Sequence, residues 1–127
     1  VDDSIVRGNT SKEIVRMVRE FGATKVFFVS ACPPVKFPCF YGVDMPTRGE
    51  LAAAQRSVSE IEEYMGVDIL MYQKIDDLVE AVTRKGEHNI DRPCMACLNG
   101  QYVTGDIDEQ TMENMEQQRN HERSQQK

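Results

Sequence analysis

The chain has 127 residues and a mass of 14.5 kDa, enough for one domain with an adequate core. Its 40% apolar and 28% charged content is ordinary for a soluble globular protein, and a formal net charge of −6 argues against a nucleic-acid or membrane-surface role, since both favour concentrated Lys and Arg. No apolar run approaches membrane-spanning length and no signal peptide opens the chain, which points to the cytoplasm.

The first ten residues, Val1-Asp2-Asp3-Ser4-Ile5-Val6-Arg7-Gly8-Asn9-Thr10, set two adjacent acids before a loop of small and hydroxylated residues. Carboxylates of Asp2 and Asp3 suit vicinal ribose hydroxyls and a hydrated Mg²⁺. Gly8 lets backbone approach a phosphate, Ser4 and Thr10 offer hydroxyl donors, and Arg7 adds a cation. The N–H groups that open the next helix point at any anion placed there. A plainer reading stands beside this one: Asp-Asp before a helix is often only a turn, with Thr10 and Glu13 as a capping box. The chain opens on the acids themselves, without Met. Ligands in open α/β sheets bind at the carboxyl ends of strands, so a strand is expected just upstream of Val1, and the chain reads as the C-terminal part of a longer enzyme.

From Thr10 to Glu20 the spacing of Ile14, Val15, Val18 and Phe21 predicts one helical face, closed by Gly22. Lys25 to Ser30 is a continuous run of β-formers, as for a strand buried on both faces. Helix followed by such a strand is half of a βαβ unit and predicts a parallel sheet. Residues 31–46 hold four of the five prolines and read as a long ordered loop. Helical patterns resume at Arg48–Ala54 and at Val58–Met65, the latter capped by Ser57 or Ser59. A second strand is expected at Asp68–Tyr72, then a helix over Ile75–Lys85 that buries Ile75, Leu78, Val79 and Val82. After Gly86 the pattern turns loop-like, with a short strand expected at Gln101-Tyr102-Val103. From Ile107 onward a polar tail with a thin stripe of Ile107, Met112 and Met115 predicts a solvated helix that frays before Lys127. The organisation is therefore α/β, with residues 1–86 as one unit and 87–127 as a cysteine-containing extension and tail.

Four cysteines, Cys32, Cys39, Cys94 and Cys97, occur in a chain without a secretory signal, which disfavours structural disulfides. Cys94-x-x-Cys97 has the spacing at which two thiolates converge on one metal. Buried small hydrophobes and a redox pair are the alternatives. A redox pair should open a helix straight after a strand, whereas Leu98-Asn99-Gly100 reads as a turn. Cys39, in an ordered loop beside Pro38 and Phe40, offers a third ligand.

The opening ten residues resemble the phosphoribosyl pyrophosphate (PRPP) loop of type I phosphoribosyltransferases. They look most like the form in the glutamine phosphoribosylpyrophosphate amidotransferase family, departing once, with Asn9 where that family usually has Thr. Pro33 to Asp44, containing Pro38-Cys39-Phe40-Tyr41-Gly42, resembles a further segment of the same family. The resemblance runs to about Asp108. It implies part of a type I phosphoribosyltransferase parallel sheet with flanking helices, followed by a loop-rich, metal-bound C-terminal region. It further implies a glycosyltransferase, specifically a pentosyltransferase with glutamine amidotransferase activity, that passes ammonia from glutamine to PRPP and gives 5-phosphoribosylamine in the first step of de novo purine biosynthesis. The residues it assigns to PRPP are Asp2, Asp3, Ser4, Arg7, Gly8, Asn9 and Thr10, with Asp2 and Asp3 also holding Mg²⁺. In the iron–sulfur subgroup of the family the positions of Cys39, Cys94 and Cys97 ligate a 4Fe–4S cluster, whose fourth ligand lies upstream of the PRPP loop. Cys32 matches no ligand position and is left as a buried thiol. The run from Asn99 to Asp108 is closer to the branch that lacks a cluster, and a structural Zn²⁺ at the same thiolates is the alternative. Inhibition by purine nucleotides and assembly into homo-oligomers are also implied. No catalytic residue is expected within these residues, and the chain alone is expected to be inactive. Another PRPP-binding phosphoribosyltransferase, or a non-catalytic, metal-stabilised nucleotide-binding module, are the competing readings.

Overall fold

The computed structural model describes residues 1–84 and 90–125. Helix α1 (Asn9–Glu20) leads to strand β1 (Phe27–Ser30), which is followed by the long loop and a single 3₁₀ turn at Arg48–Glu50. Then come α2 (Ala52–Gln55), α3 (Val58–Met65), β2 (Ile69–Tyr72), α4 (Ile75–Thr83), α5 (Ala96–Asn99) and α6 (Glu109–Gln125). The two strands pair in parallel, with Phe27 opposite Ile69 and Ser30 opposite Tyr72. On the other side of β1 the backbone of Asp2 forms a parallel bridge to Ser30, through Asp2 N–H to Val29 O (2.9 Å) and Ala31 N–H to Asp2 O (2.9 Å). The backbone of Asp2 therefore pairs beside Ser30, the last residue of β1.

Local chemistry explains the best-defined elements. Ser57 opens α3 with a reciprocal capping box, its hydroxyl accepting from Glu60 N–H while Glu60 Oε2 accepts from Ser57 N–H at 2.7 Å. Gly66 closes α3 at φ 71°, the left-handed turn that glycine takes without a Cβ penalty. Helices α1 and α3 cover one face of the sheet, so Val15, Phe28, Ile61, Met65 and Leu70 share one buried cluster. A second cluster of Val35, Leu51 and Leu98 gathers the proline loop under α4, and a third joins Ala96, Tyr102 and Met112. Asp68 ties the start of the sheet together: its carboxylate accepts from Val26 N–H (2.8 Å) and from Arg19 of α1 (2.7 Å).

Several expectations are corrected. The strand run is not buried on both faces, because Phe27 and Ile69 are 57% and 44% exposed while their neighbours Phe28 and Leu70 are buried against α1 and α3. In α1 only Val15 of the expected apolar stripe is buried, and Phe21 is exposed beyond the last turn. The Thr10–Glu13 capping box does not form, since the cap of α1 is Gly8, two residues before Thr10. The expected Arg48–Ala54 helix is broken at Leu51, whose extended backbone turns its side chain wholly into the core. Helix α4 buries none of its residues fully, although Ile75 and Leu78 pack on the second cluster. Leu98-Asn99 belongs to the helical turn α5, which Gly100 ends at φ 76°, and Gln101 to Val103 are not a strand. The expected helix end at Lys85 and the boundary at Gly86 lie outside the described residues.

Candidate functional site: an acid pair facing an open helix terminus

The residues that link the Asp2 bridge to α1 enclose a cavity of about 410 Å³ lined by Asp2, Asp3, Ser4, Val6, Arg7, Gly8, Asn9, Thr10 and Ser11. Every residue assigned to PRPP from the sequence lines it. The carboxylates are held in place by the backbone that follows them: Asp2 Oδ1 accepts from Asp3 N–H (3.1 Å) and Asp3 Oδ1 from Ser4 N–H (2.7 Å). Ile5 anchors the loop from below, being almost wholly buried in the sheet core. Gly8 stands at φ 80°, where a side chain would be strained, and provides no side-chain cap to α1. The opening N–H groups of a helix have no intrahelical partners, so this terminus faces the cavity with its donors and the positive end of its dipole. Acids therefore line one part of the cavity and anion donors another.

Three longer-range contacts shape the loop, and none was legible in the sequence. Val6 O accepts from Ala52 N–H at 2.8 Å. Arg7 Nη2 pairs with Glu50 Oε1 at 3.1 Å, while the second oxygen of Glu50 accepts from Thr47 N–H and Oγ1. Arg7 thus lines the cavity already engaged by a carboxylate. Tyr64 of α3 donates its hydroxyl to Asn9 Oδ1 at 2.8 Å.

The cysteines occupy a separate region. Lys36 N–H and Phe37 N–H both donate to Cys97 O (2.9 and 3.0 Å), and the buried Tyr102 hydroxyl donates to Pro38 O (2.7 Å). Phe40 and Tyr102 stack tilted at 5.1 Å, so the proline loop and the Cys94–Cys97 segment form one packed body. Cys39 Sγ accepts from Tyr41 N–H at 3.3 Å. Burial raises the Cys97 thiol pKa first, and the neighbouring charges of Cys32, Cys39 and Cys94 raise it further. Cys32 is likewise pushed up by burial and then by Asp3, which places it between the two regions. The donor types fit a thiophilic metal or cluster, yet among the described residues no three Cys, His, Asp or Glu side chains converge closely enough to hold a metal ion. Two acids can suffice for Mg²⁺, which is commonly held by one or two carboxylates together with substrate phosphates, so Asp2 and Asp3 fit that ion. Among the described residues the Tyr72 hydroxyl is a buried group without a hydrogen-bond partner, its pKa pushed up to about 12 by burial and then by Cys32.

No protein-family model matches the chain. Amidophosphoribosyltransferase of Pseudomonas aeruginosa is 48% identical over 120 residues, covering 94% of this chain and 24% of that protein. That of Bacillus subtilis is 45% identical over 104 residues, covering 82% of this chain and 22% of that protein. Its homologues are amidophosphoribosyltransferases. The solved glutamine PRPP amidotransferase of B. subtilis, complexed with ADP and GMP, superposes with a TM-score of 0.70 at 43% identity over 79% of this chain and 22% of that one. A structure described as the allosteric regulatory enzyme of purine biosynthesis gives a TM-score of 0.68 at 43% identity. The chain spans about a quarter of the length of the amidophosphoribosyltransferases it matches.

Proposed function

We propose that this chain supplies the PRPP-binding loop of an amidophosphoribosyltransferase, the enzyme that uses ammonia from glutamine to convert PRPP to 5-phosphoribosylamine at the start of purine synthesis. The observation that carries the reading is the meeting, in one cavity of about 410 Å³, of two backbone-braced carboxylates and a glycine-opened helix terminus. That volume lies in the range of small-molecule sites. Asp2 and Asp3 orient the ribose hydroxyls and the Mg²⁺–PRPP complex, and the stretch from Ser4 to Thr10 grips the 5′-phosphate. Pyrophosphate leaves from the ribose carbon through an oxocarbenium-like transition state, so positioning and charge neutralisation supply most of the acceleration. Bound Mg²⁺ would neutralise the leaving pyrophosphate. The nucleophile-generating glutaminase chemistry belongs to residues other than these.

In the same reading, residues 1–86 are the C-terminal part of the phosphoribosyltransferase domain and 87–127 an extension. Cys39, Cys94 and Cys97 are the thiols that would hold a 4Fe–4S cluster, or Zn²⁺ in its place, with a fourth ligand from elsewhere, although they are not gathered closely enough in this structure to hold a metal ion by themselves. No reaction step runs through it. Purine nucleotides inhibit, copies associate as homo-oligomers, and the enzyme works in the cytoplasm. The test is Asp2→Asn with Asp3→Asn in the full-length protein. Phosphoribosyl transfer should fall by at least a hundredfold while glutamine hydrolysis is retained, about 3 kcal/mol of lost positioning. Transfer at the wild-type rate would remove the acids from the site.

A further inference from the structure

Asn9 is the first residue of α1, exposed and on the wall of the cavity, and its side-chain oxygen already has a partner. A primary amide carries its oxygen and its NH2 group on opposite corners, so a donor fixed on the oxygen decides where the NH2 group faces. Tyr64 is such a donor, at 2.8 Å from Asn9 Oδ1. Its ring is itself held still. It packs against the core that α1 and α3 enclose, and a Cβ at Gly8 would lie 3.5 Å from its edge. Lys12 Nζ stands 4.2 Å from the ring centroid and the Arg56 guanidinium 5.1 Å, so two cations also sit beside the helix terminus.

We propose that Tyr64 is a positioning residue that pins the Asn9 carbonyl and thereby aims the Asn9 NH2 group at the phosphate of the bound sugar phosphate. The inference rests on the PRPP reading above and deepens it. The pairing gives Asn9 a definite job at a helix opening where Arg7 is already shared with Glu50. A threonine in that position has a short, β-branched side chain with few χ1 rotamers and a single hydroxyl that both donates and accepts, so it has no oxygen and nitrogen ends for an outside partner to sort.

The test uses the full-length protein that carries this chain. KM for PRPP with Mg²⁺, and the inhibition constant of ribose 5-phosphate, are measured in wild type, Tyr64→Phe, Asn9→Thr and the double variant. Phenylalanine keeps the ring packing and removes only the hydroxyl. Tyr64→Phe should raise both constants about fivefold, the scale of one net hydrogen bond, with kcat changed less than twofold. In the Asn9→Thr background the same substitution should change them less than twofold. Equal effects in the two backgrounds, or none in either, overturn the inference while leaving PRPP binding intact. A wild-type protein that binds neither PRPP nor ribose 5-phosphate overturns the functional reading, and this inference with it.

Discussion

Gly100→Ala probes whether the Cys94–Cys97 segment is locked onto the proline loop. The position demands two things that alanine violates. Its φ of 76° is left-handed, which costs an L-residue about 1–2 kcal/mol. A Cβ built there would also lie 2.9, 3.0 and 3.1 Å from three atoms of the Phe37 ring, so the ring must shift, and overpacking of this kind costs about 1–3 kcal/mol. Gly105→Ala is the natural control, because its φ of 73° carries the same strain while nothing lies within 4 Å of the added carbon. The difference between the two variants, about 1–3 kcal/mol, isolates the Phe37 contact. A difference of that size makes local opening roughly 5- to 150-fold more frequent. Metal-free protein is labelled with a thiol reagent, and the rate at Cys39 and Cys97 is followed residue by residue by mass spectrometry. The exposed Cys94 serves as the internal reference. Gly100→Ala should speed labelling of Cys39 and Cys97 well beyond Gly105→Ala. Equal rates in the two variants would mean that Phe37 does not pack on Gly100, and the single packed body would have to be abandoned.

Asp68 links α1, β1 and β2, and the hydrogen bond from Val26 N–H, then the Arg19 guanidinium, hold its pKa below the ordinary carboxylate range. A carboxylate depressed in the folded state contributes stability that is fully present above its unfolded pKa and lost as the pH falls through the folded one. The gap between wild type and Asp68→Asn in urea unfolding should therefore be constant at neutral pH and narrow below about pH 4; a gap independent of pH would exclude the ion pair as its source. Iron and labile sulfide, assayed on anaerobically reconstituted full-length protein, should both be present and both be lost in Cys39→Ser. Zinc without sulfide would replace the cluster with a four-thiolate zinc site.

How far the sequence reached depends on the range of the interaction involved. The span of helix α3, Val58–Met65, was legible because its apolar spacing and its end signals act within a turn of the chain, whereas the choice of Ser57 over Ser59 as its cap came from the structure. The parallel pairing followed from a helix between β-forming runs, and the seven residues assigned to PRPP lie in ten consecutive positions, so their gathering around one cavity needed only a tight loop. What the sequence could not disclose are contacts between distant segments. Arg7 meets Glu50 across 43 positions, Asn9 meets Tyr64 across 55, and Pro38 meets Tyr102 across 64. Such partners are set by how the layers close over one another, not by local periodicity. The same holds for the open face of Phe27 and Ile69: an apolar run is equally compatible with one covered side or two, and only the placement of α1 and α3 decides between them.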